Sequence, residues 1–498
     1  MTAGTPGAVG GWGHPSITTA GVLALAATGG ALAWSWPLTA LGLALAGPLI
    51  LLLVRAAVRH PGPGLALLMA LVLLQDPLVE AGLTPLQMAD EALVLLLSLG
   101  LLAEALARGR LSRSPLDLPT LAFLAAALLS ALWREVPPWI AGLGTLSLLK
   151  GLLAYHLAAR LPHPRRALAR GLPWLLLPVL AAALLALAQR LFGAPVYAAL
   201  GRLDYHQLWQ GGKAPSFYFN HNALGHVLVL AGLLCLALAL AGSRRARPIA
   251  LLCLAALVVS ASRESWLAVV AGLLALALRQ RSGRSLVLAA LVGGGLALGG
   301  GAVYLGSPLL REELARRSAG VWEGWRLYRM GYDGWSYRGE YRVYNLLKSW
   351  DIFLDQPFLG TGPGRFGGAT AVRYPSPVYR DYDFLPLDGR YIPLDVFWSR
   401  LLTEFGLLGA AAYLACLAAV GRQTWRAAVG RRPLARALGL AAWTGLAAII
   451  VLGCLSPALE DSLSALPFWT LCGLSWALAR VAAPTRRRGL PAPATAPT

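Results

Sequence analysis

Residues 221–240 read HNALGHVLVLAGLLCLALAL, a run without a single Asp, Glu, Lys or Arg. At roughly 1.5 Å of helical rise per residue, a run of this length crosses the roughly 30 Å hydrocarbon core of a bilayer. Comparable runs lie on both sides of it. They centre near Ala26, Ala46, Leu71, Leu97, Ala125, Leu148 and Leu180 before it, and near Ala255, Ala271, Leu291, Ala410, Leu446 and Gly473 after it. The two that flank Ser262 are short enough to form a re-entrant pair, so about twelve to fourteen crossings are expected. Of 498 residues, 57% are hydrophobic and 13% charged, against roughly 25% charged in a soluble domain. The fold class is therefore all-α, a polytopic transmembrane helical bundle.

Charge placement tests this reading, because short cytoplasmic connections collect Lys and Arg. With the N-terminus inside, alternate connections take Arg55 and Arg59, Arg108 to Arg113, Arg160 to Arg170, Arg244 to Arg247, Arg279 to Arg284 and Arg422 to Arg436, with Arg480 and Arg486 to Arg488 at the end. These hold more than half of the 43 Lys and Arg. Asp76, Glu80, Asp90, Glu91, Glu460 and Asp461 fall on the opposite side. The expectation is a multi-pass protein of the cytoplasmic (inner) membrane with both termini cytoplasmic. Topology and an anionic inner leaflet then account for the net charge of +20, and no nucleic-acid partner is needed. Cys235, Cys253, Cys416, Cys454 and Cys472 all lie in apolar spans without metal-ligand spacing. No disulfide, metal site or cofactor is expected. Leu23 to Trp34 reads as part of a retained first span, because no basic n-region precedes it.

One segment breaks the pattern. Residues 306–394 are polar and rich in aromatics, among them Trp322, Trp325, Tyr328, Trp335, Trp350 and Tyr391, interleaved with charges of both signs. Two readings stay open: a surface for sugar rings and lipid headgroups, or an interfacial belt of Trp and Tyr over a small core. Within it, Glu340 to Leu354 predicts an amphipathic helix with Tyr341, Tyr344, Leu347, Trp350, Ile352 and Leu354 on its apolar side. Gln356-Pro357 ends that helix, and Gly360 to Gly364 makes a tight loop. The organisation read from this is N-terminal spans over 1–215, spans with a Ser-Arg motif over 216–305, a large extracytoplasmic loop bearing short amphipathic helices over 306–394, C-terminal spans over 395–482 and a disordered tail over 483–498.

Several short motifs recur in order. Ser-Ala-Ser262-Arg263-Glu-Ser-Trp stands at the end of a span, Arg342 at the start of the amphipathic helix, then Asp355-Gln-Pro-Phe-Leu-Gly360-Thr-Gly-Pro-Gly364-Arg-Phe. Asp395-Val-Phe-Trp398 follows, with Glu404-Phe-Gly406-Leu-Leu-Gly409, and Ser456-Pro-Ala-Leu-Glu460 closes the series. This order resembles the O-antigen ligase and Wzy-type O-antigen polymerase superfamily over roughly Ser216 to Trp476. The resemblance implies transfer of a polyprenyl-diphosphate-linked glycan to a hydroxyl on the outer face of the membrane, without nucleotide sugar or metal. It also implies lipid-linked oligosaccharides and the bilayer as partners, with a chain-length regulator as a candidate third.

A departing diphosphate at a membrane surface needs fixed cations, and Arg binds phosphate oxygens in a bidentate fork. Arg263 and Arg342 are the candidates; the bland alternatives are interface anchoring, or pairing with Glu264 for Arg263 and with loop acids for Arg342. Asp395, where the ligases carry His, is the candidate general base, or else an ordinary helix N-cap. Arg338, Lys213, His221, Tyr341 and Trp398 are further candidate substrate contacts. Arg400 and Glu404 are four apart and predict an ion pair on one helical face, and His226 either lines the same cavity as Lys213, Tyr218 and His221 or is solvated or capping. The expected function is an inverting polymerase of lipid-linked repeat units. A ligase acting on a lipid A core or protein acceptor is the nearest alternative, and a flippase for lipid-linked oligosaccharides the second.

Overall fold

The computed structural model describes residues 60–109, 112–209, 212–281, 283–330, 341–374, 376–382, 396–430 and 432–482, with the backbone alone at 85, 209, 285, 316–324, 327, 330 and 341. The first helices are α1 (Pro61–Glu80), α2 (Ala89–Arg108), α3 (Asp117–Trp133), α4 (Pro138–Ala159) and α5 (Pro164–Phe192). Two short helices follow, α6 (Ala194–Ala199) and α7 (Leu203–Trp209), then α8 (His221–Leu240), α9 (Ala246–Ser260), α10 (Arg263–Gln280) and α11 (Gly283–Gly306). The polar segment holds α12 (Pro308–Met330), α13 (Tyr341–Asp355), α14 (Ala369–Arg373) and α15 (Pro377–Asp381). The chain then enters α16 (Phe397–Ala427), α17 (Pro433–Gly453) and α18 (Ser462–Ala482).

Among the described residues nine helices are long and apolar enough to cross a membrane, and α3 and α9 are shorter apolar helices. Each expected span centre from Leu71 to Gly473 falls within a helix; Ala26 and Ala46 lie outside the described residues. Local chemistry sets the ends. Pro opens α1, α4, α5 and α17, where its missing N–H costs nothing. Asn220 caps α8 by accepting from the Ala223 amide at 2.8 Å, and α2 stops at left-handed Gly109. The fifteen residues of α9 rise about 22 Å, less than the hydrocarbon thickness, in keeping with the expected short pair around Ser262.

The core lies where α17 and α18 meet α4, α8 and α16, and α17 and α18 are the most deeply buried spans. Trp469 of α18 is fully buried, edge-on to Tyr155 of α4 and Tyr413 of α16. Two polar side chains beside it form a short chain of hydrogen bonds. Tyr155 Oη bonds Gln423 Oε1 at 2.6 Å, and Gln423 Nε2 donates to Cys472 O at 2.7 Å.

The polar segment is more helical than its sequence indicated, since α12 runs for 23 residues. The amphipathic helix appears as α13, displaced by one residue from the expected Glu340 to Leu354. Its buried side is Tyr344, Asn345, Ser349, Ile352 and Phe353, and Tyr344 and Ile352 form a cluster with Phe366, Ala371, Val378 and Tyr379. Trp350 and Leu354, expected on the same apolar side, are 52% and 56% exposed. A stripe set by α14 and α15 is narrower than the apolar arc of the helix, so the remainder of the arc faces outward.

Candidate active site

The Ser262-Arg263 motif is the turn between α9 and α10. Ala261 takes a left-handed conformation at φ 56° and Ser262 is extended, so α10 starts afresh at Arg263 and packs mainly on α17 and α11. Ser262 Oγ and Ser265 Oγ lie 2.8 Å apart, and Trp266 Nε1 donates to Leu257 O at 2.8 Å, which ties the turn to α9. Gly225 of α8 makes room for it. A Cβ at that position would fall 2.3 Å from Ser265 Oγ.

The turn sends two opposite charges in different directions. Arg263 extends over the ring of Tyr304 on α11, its guanidinium carbon 5.5 Å from the ring centroid. Glu264 points inward, and its Oε1 lies 3.1 Å from His226 Nε2 on α8. The Arg263–Glu264 pairing weighed from sequence is thus replaced by a His226–Glu264 pair. His226 is 4% exposed, neither solvated nor a cap. Its Nδ1 lies 3.8 Å from Asp461 Oδ2 and its Nε2 3.5 Å from Ser456 Oγ. Nothing in the sequence signals this cluster, whose members come from α8, α10 and the connection between α17 and α18.

The second assembly is the glycine loop after α13. Gly360, Gly362 and Gly364 adopt φ of 68°, 103° and 77°. The loop bonds to a break in α16: Thr361 N donates to Thr403 O at 2.8 Å and Gly362 N to Glu404 O at 3.0 Å, while Leu407 N donates to Pro357 O at 2.7 Å. The break is at Gly406, with φ 60° and ψ −166°. A Cβ there would lie 2.4 Å from the Phe358 carbonyl carbon, so the Glu-x-Gly pattern exists because only glycine admits the loop backbone.

Glu404 and Arg400 lock this junction, as the four-residue spacing predicts. Glu404 Oε1 accepts from Phe366 N at 2.9 Å, and Oε2 accepts from Arg400 Nε at 3.2 Å. Arg400 also donates to Ser147 Oγ at 3.1 Å and pairs with Glu460. Arg400 is 2% exposed and Glu404 fully buried. Adjacent residues Glu460 and Asp461 therefore bridge the two assemblies, one touching Arg400 and the other His226. The rim of the glycine loop carries two further cations. Arg134 Nε donates to Gly360 O at 2.7 Å, and Arg365 Nη2 donates to Glu135 O at 3.2 Å. Burial, and then the nearby Arg134, lower the pKa of the Arg365 guanidinium.

The other expected residues are dispersed. Arg342 stands half-buried in the first turn of α13. Trp398 Nε1 donates to Ile450 O of α17 at 3.3 Å. Lys213 is 2% exposed and lies 2.8 Å from Glu313 Oε2, which makes it a buried ion-pair partner between the 212–220 segment and α12. His221 Nδ1 lies 3.3 Å from Tyr205 Oη. Asp395 and Arg338 lie outside the described residues, and of Tyr341 only the backbone is described, at the start of α13. The residue that precedes the first turn of α16 is Val396, extended at φ −120°.

These features define a polytopic helical membrane protein with a buried polar seam between a Ser-Arg turn and a glycine loop. Residues 248–414, which include the Ser-Arg turn, Arg342, the glycine loop and the Gly406 break, match the family described as O-Antigen ligase, in keeping with the resemblance read from the motifs. The match is narrower at both ends than the expected Ser216 to Trp476. No curated protein matches the chain.

Proposed function

We propose that this membrane glycan ligase or polymerase is a polymerase acting at the outer face of the cytoplasmic membrane. It moves a glycan from a polyprenyl diphosphate to a hydroxyl of a second lipid-linked oligosaccharide. The observation that carries the transferase part of the proposal is the family match over the segment that holds both Arg263 and Arg342, and the preference for a polymerase rests on Asp395 standing where the resembled ligases have His. The acceptor oxygen attacks the anomeric carbon, the bond to the diphosphate oxygen breaks, and the configuration inverts. Arg263 and Arg342 take the charge that develops on the leaving diphosphate. Asp395 receives the acceptor's proton, a role worth roughly 10²–10⁴ in rate for a positioned base. Glu404 and Arg400 hold the glycine loop on α16 and touch no substrate in this reading. Arg338, His221, Tyr341 and Trp398 are the proposed sugar contacts, with Lys213 a positioning residue through Glu313.

The ligase reading has one observation in its favour, the description of the matching family itself. Incubating purified protein with a polyprenyl-diphosphate-linked oligosaccharide, without nucleotide or added metal, separates the two. A ladder of products establishes the polymerase. Transfer only after addition of a core lipid or protein acceptor establishes the ligase, and inertness under both conditions removes the transferase reading in favour of a lipid-linked oligosaccharide transporter.

A further inference from the structure

Two cavities meet on α5. The first, of about 620 Å³, is lined by His60 and Leu67 on the side of α1, and by His163, Arg166, Arg170 and Trp174 on the side of α5. Arg166 and Arg170 are four apart and share one face of the helix, and no Asp or Glu lines the cavity with them. Neither arginine makes a side-chain hydrogen bond or an ion pair among the described residues. The second cavity, of about 120 Å³, lies among α1, α5, α8, α17 and α18, and Leu175 of α5 lines both.

The two cavities ask for different chemistry. The first offers uncompensated cations, and basic pockets between membrane helices suit anionic lipid headgroups. The second is walled by Leu, Val, Met, Ala and Pro apart from Thr470. Thr470 is 5% exposed, and its Oγ1 has no hydrogen-bond partner among the described residues. Water does not complete it, because a buried water needs about two to four polar partners and this wall supplies one. A hydrocarbon chain with a double bond does, since it fills apolar space and its π electrons accept a weak bond from the hydroxyl. Nine residues, about 14 Å of helical rise, separate Arg166 from Leu175, a span that matches the reach from a phospholipid phosphate to the middle of its acyl chain.

We propose that the paired cavities hold one anionic phospholipid of the bilayer, its phosphate between Arg166 and Arg170 and its unsaturated chain passing Leu175 to reach Thr470. The chain fills the space between α1, α5 and α8, the helix that carries His226. This lipid is not the donor that the proposed function places at Arg263. α1 starts at the arginine-lined mouth and ends at Glu80, which lines a cavity with Asp461. Its 20 residues put about 30 Å between the mouth and that end of the bundle. The inference stands whether or not the protein transfers glycans.

Native mass spectrometry and thermal unfolding of the full chain in detergent test this, with dioleoyl phosphatidylglycerol, its distearoyl analogue, dioleoyl phosphatidylcholine and glycerol phosphate as probes. Dioleoyl phosphatidylglycerol should bind about tenfold more tightly than the choline lipid, the scale of one charge-assisted contact. Replacing both arginines, Arg166→Gln with Arg170→Gln, should abolish that preference and leave the lipid-free melting temperature unchanged, because both side chains are exposed. Thr470→Val should abolish a roughly threefold preference for the oleoyl over the stearoyl chain, the scale of a weak hydrogen bond. Equal binding of the two headgroups, indifference to the double arginine variant, or a chain preference that is absent or survives Thr470→Val each overturns the proposal. Stabilisation by glycerol phosphate equal to that by the lipid would mean a free-anion site, and displacement of phosphatidylglycerol by equimolar polyprenyl phosphate a carrier site; either overturns it as well.

Discussion

His226 Nε2 and Glu264 Oε1 lie 3.1 Å apart in the interior, joining α8 to the first turn of α10 one residue from Arg263. Removing one partner of a buried pair strands the other, at a cost of roughly 3–5 kcal/mol. Glu264→Ala should therefore lower the melting temperature clearly, and Glu264→Gln, which keeps a hydrogen-bonding oxygen, should lower it less. Thermal unfolding in detergent reads both. An unshifted Glu264→Ala would remove the pair from any account of how Arg263 is held.

Gly406→Ala should be among the most damaging single changes in the chain. It adds a Cβ at 2.4 Å from the Phe358 carbonyl carbon and forces a side-chain-bearing residue into a backbone region open essentially to glycine, at roughly 1–3 kcal/mol. Gly409, three residues on, has an ordinary helical conformation, so Gly409→Ala should perturb without that strain. Comparing expression and melting temperature of the two variants checks this, and equal behaviour would contradict the loop-docking role of the break.

Arg400→Met leaves Glu404 and Glu460 without their shared cation and should destabilise by roughly 3–5 kcal/mol. Adding Glu404→Gln should recover part of the loss, because the stranded charge is then absent. Denaturation of wild type, both single variants and the double variant closes a mutant cycle. Strict additivity would mean that Arg400 and Glu404 do not act together.

For the chemical step, Arg263→Ala should lower turnover strongly, and Arg263→Lys should restore only part of it, because an ammonium cannot make the bidentate contact. Asp395→Asn should lower turnover by roughly 10²–10⁴ with little effect on donor binding. Steady-state kinetics on lipid-linked oligosaccharide measures both. Near-normal rates in Asp395→Asn and Asp395→Ala would falsify its role as base.

The runs that became α1 to α5, α8 to α11 and α16 to α18 were legible because a bilayer demands a continuous apolar helix, and that demand is met within twenty or so neighbouring residues. The amphipathic α13 and the glycine loop were legible for a similar reason: period and turn residues act locally. The Arg400–Glu404 pair was visible because one helical turn separates its members. The length of α12 was hidden, since its mixed charge and aromatic content carries no clear period.

The sequence by itself determined a helical membrane protein, the places of its apolar helices, and the likeness of residues 248–414 to the O-antigen ligase family. Only the tertiary structure decided which charges meet. His226, Glu264 and Asp461 are distant in the chain, as are Arg400 and Glu460, and Asp90 and Lys150. A charge in a low-dielectric interior is stable only beside a partner, and that partner is chosen by helix packing, which no local pattern of residues records.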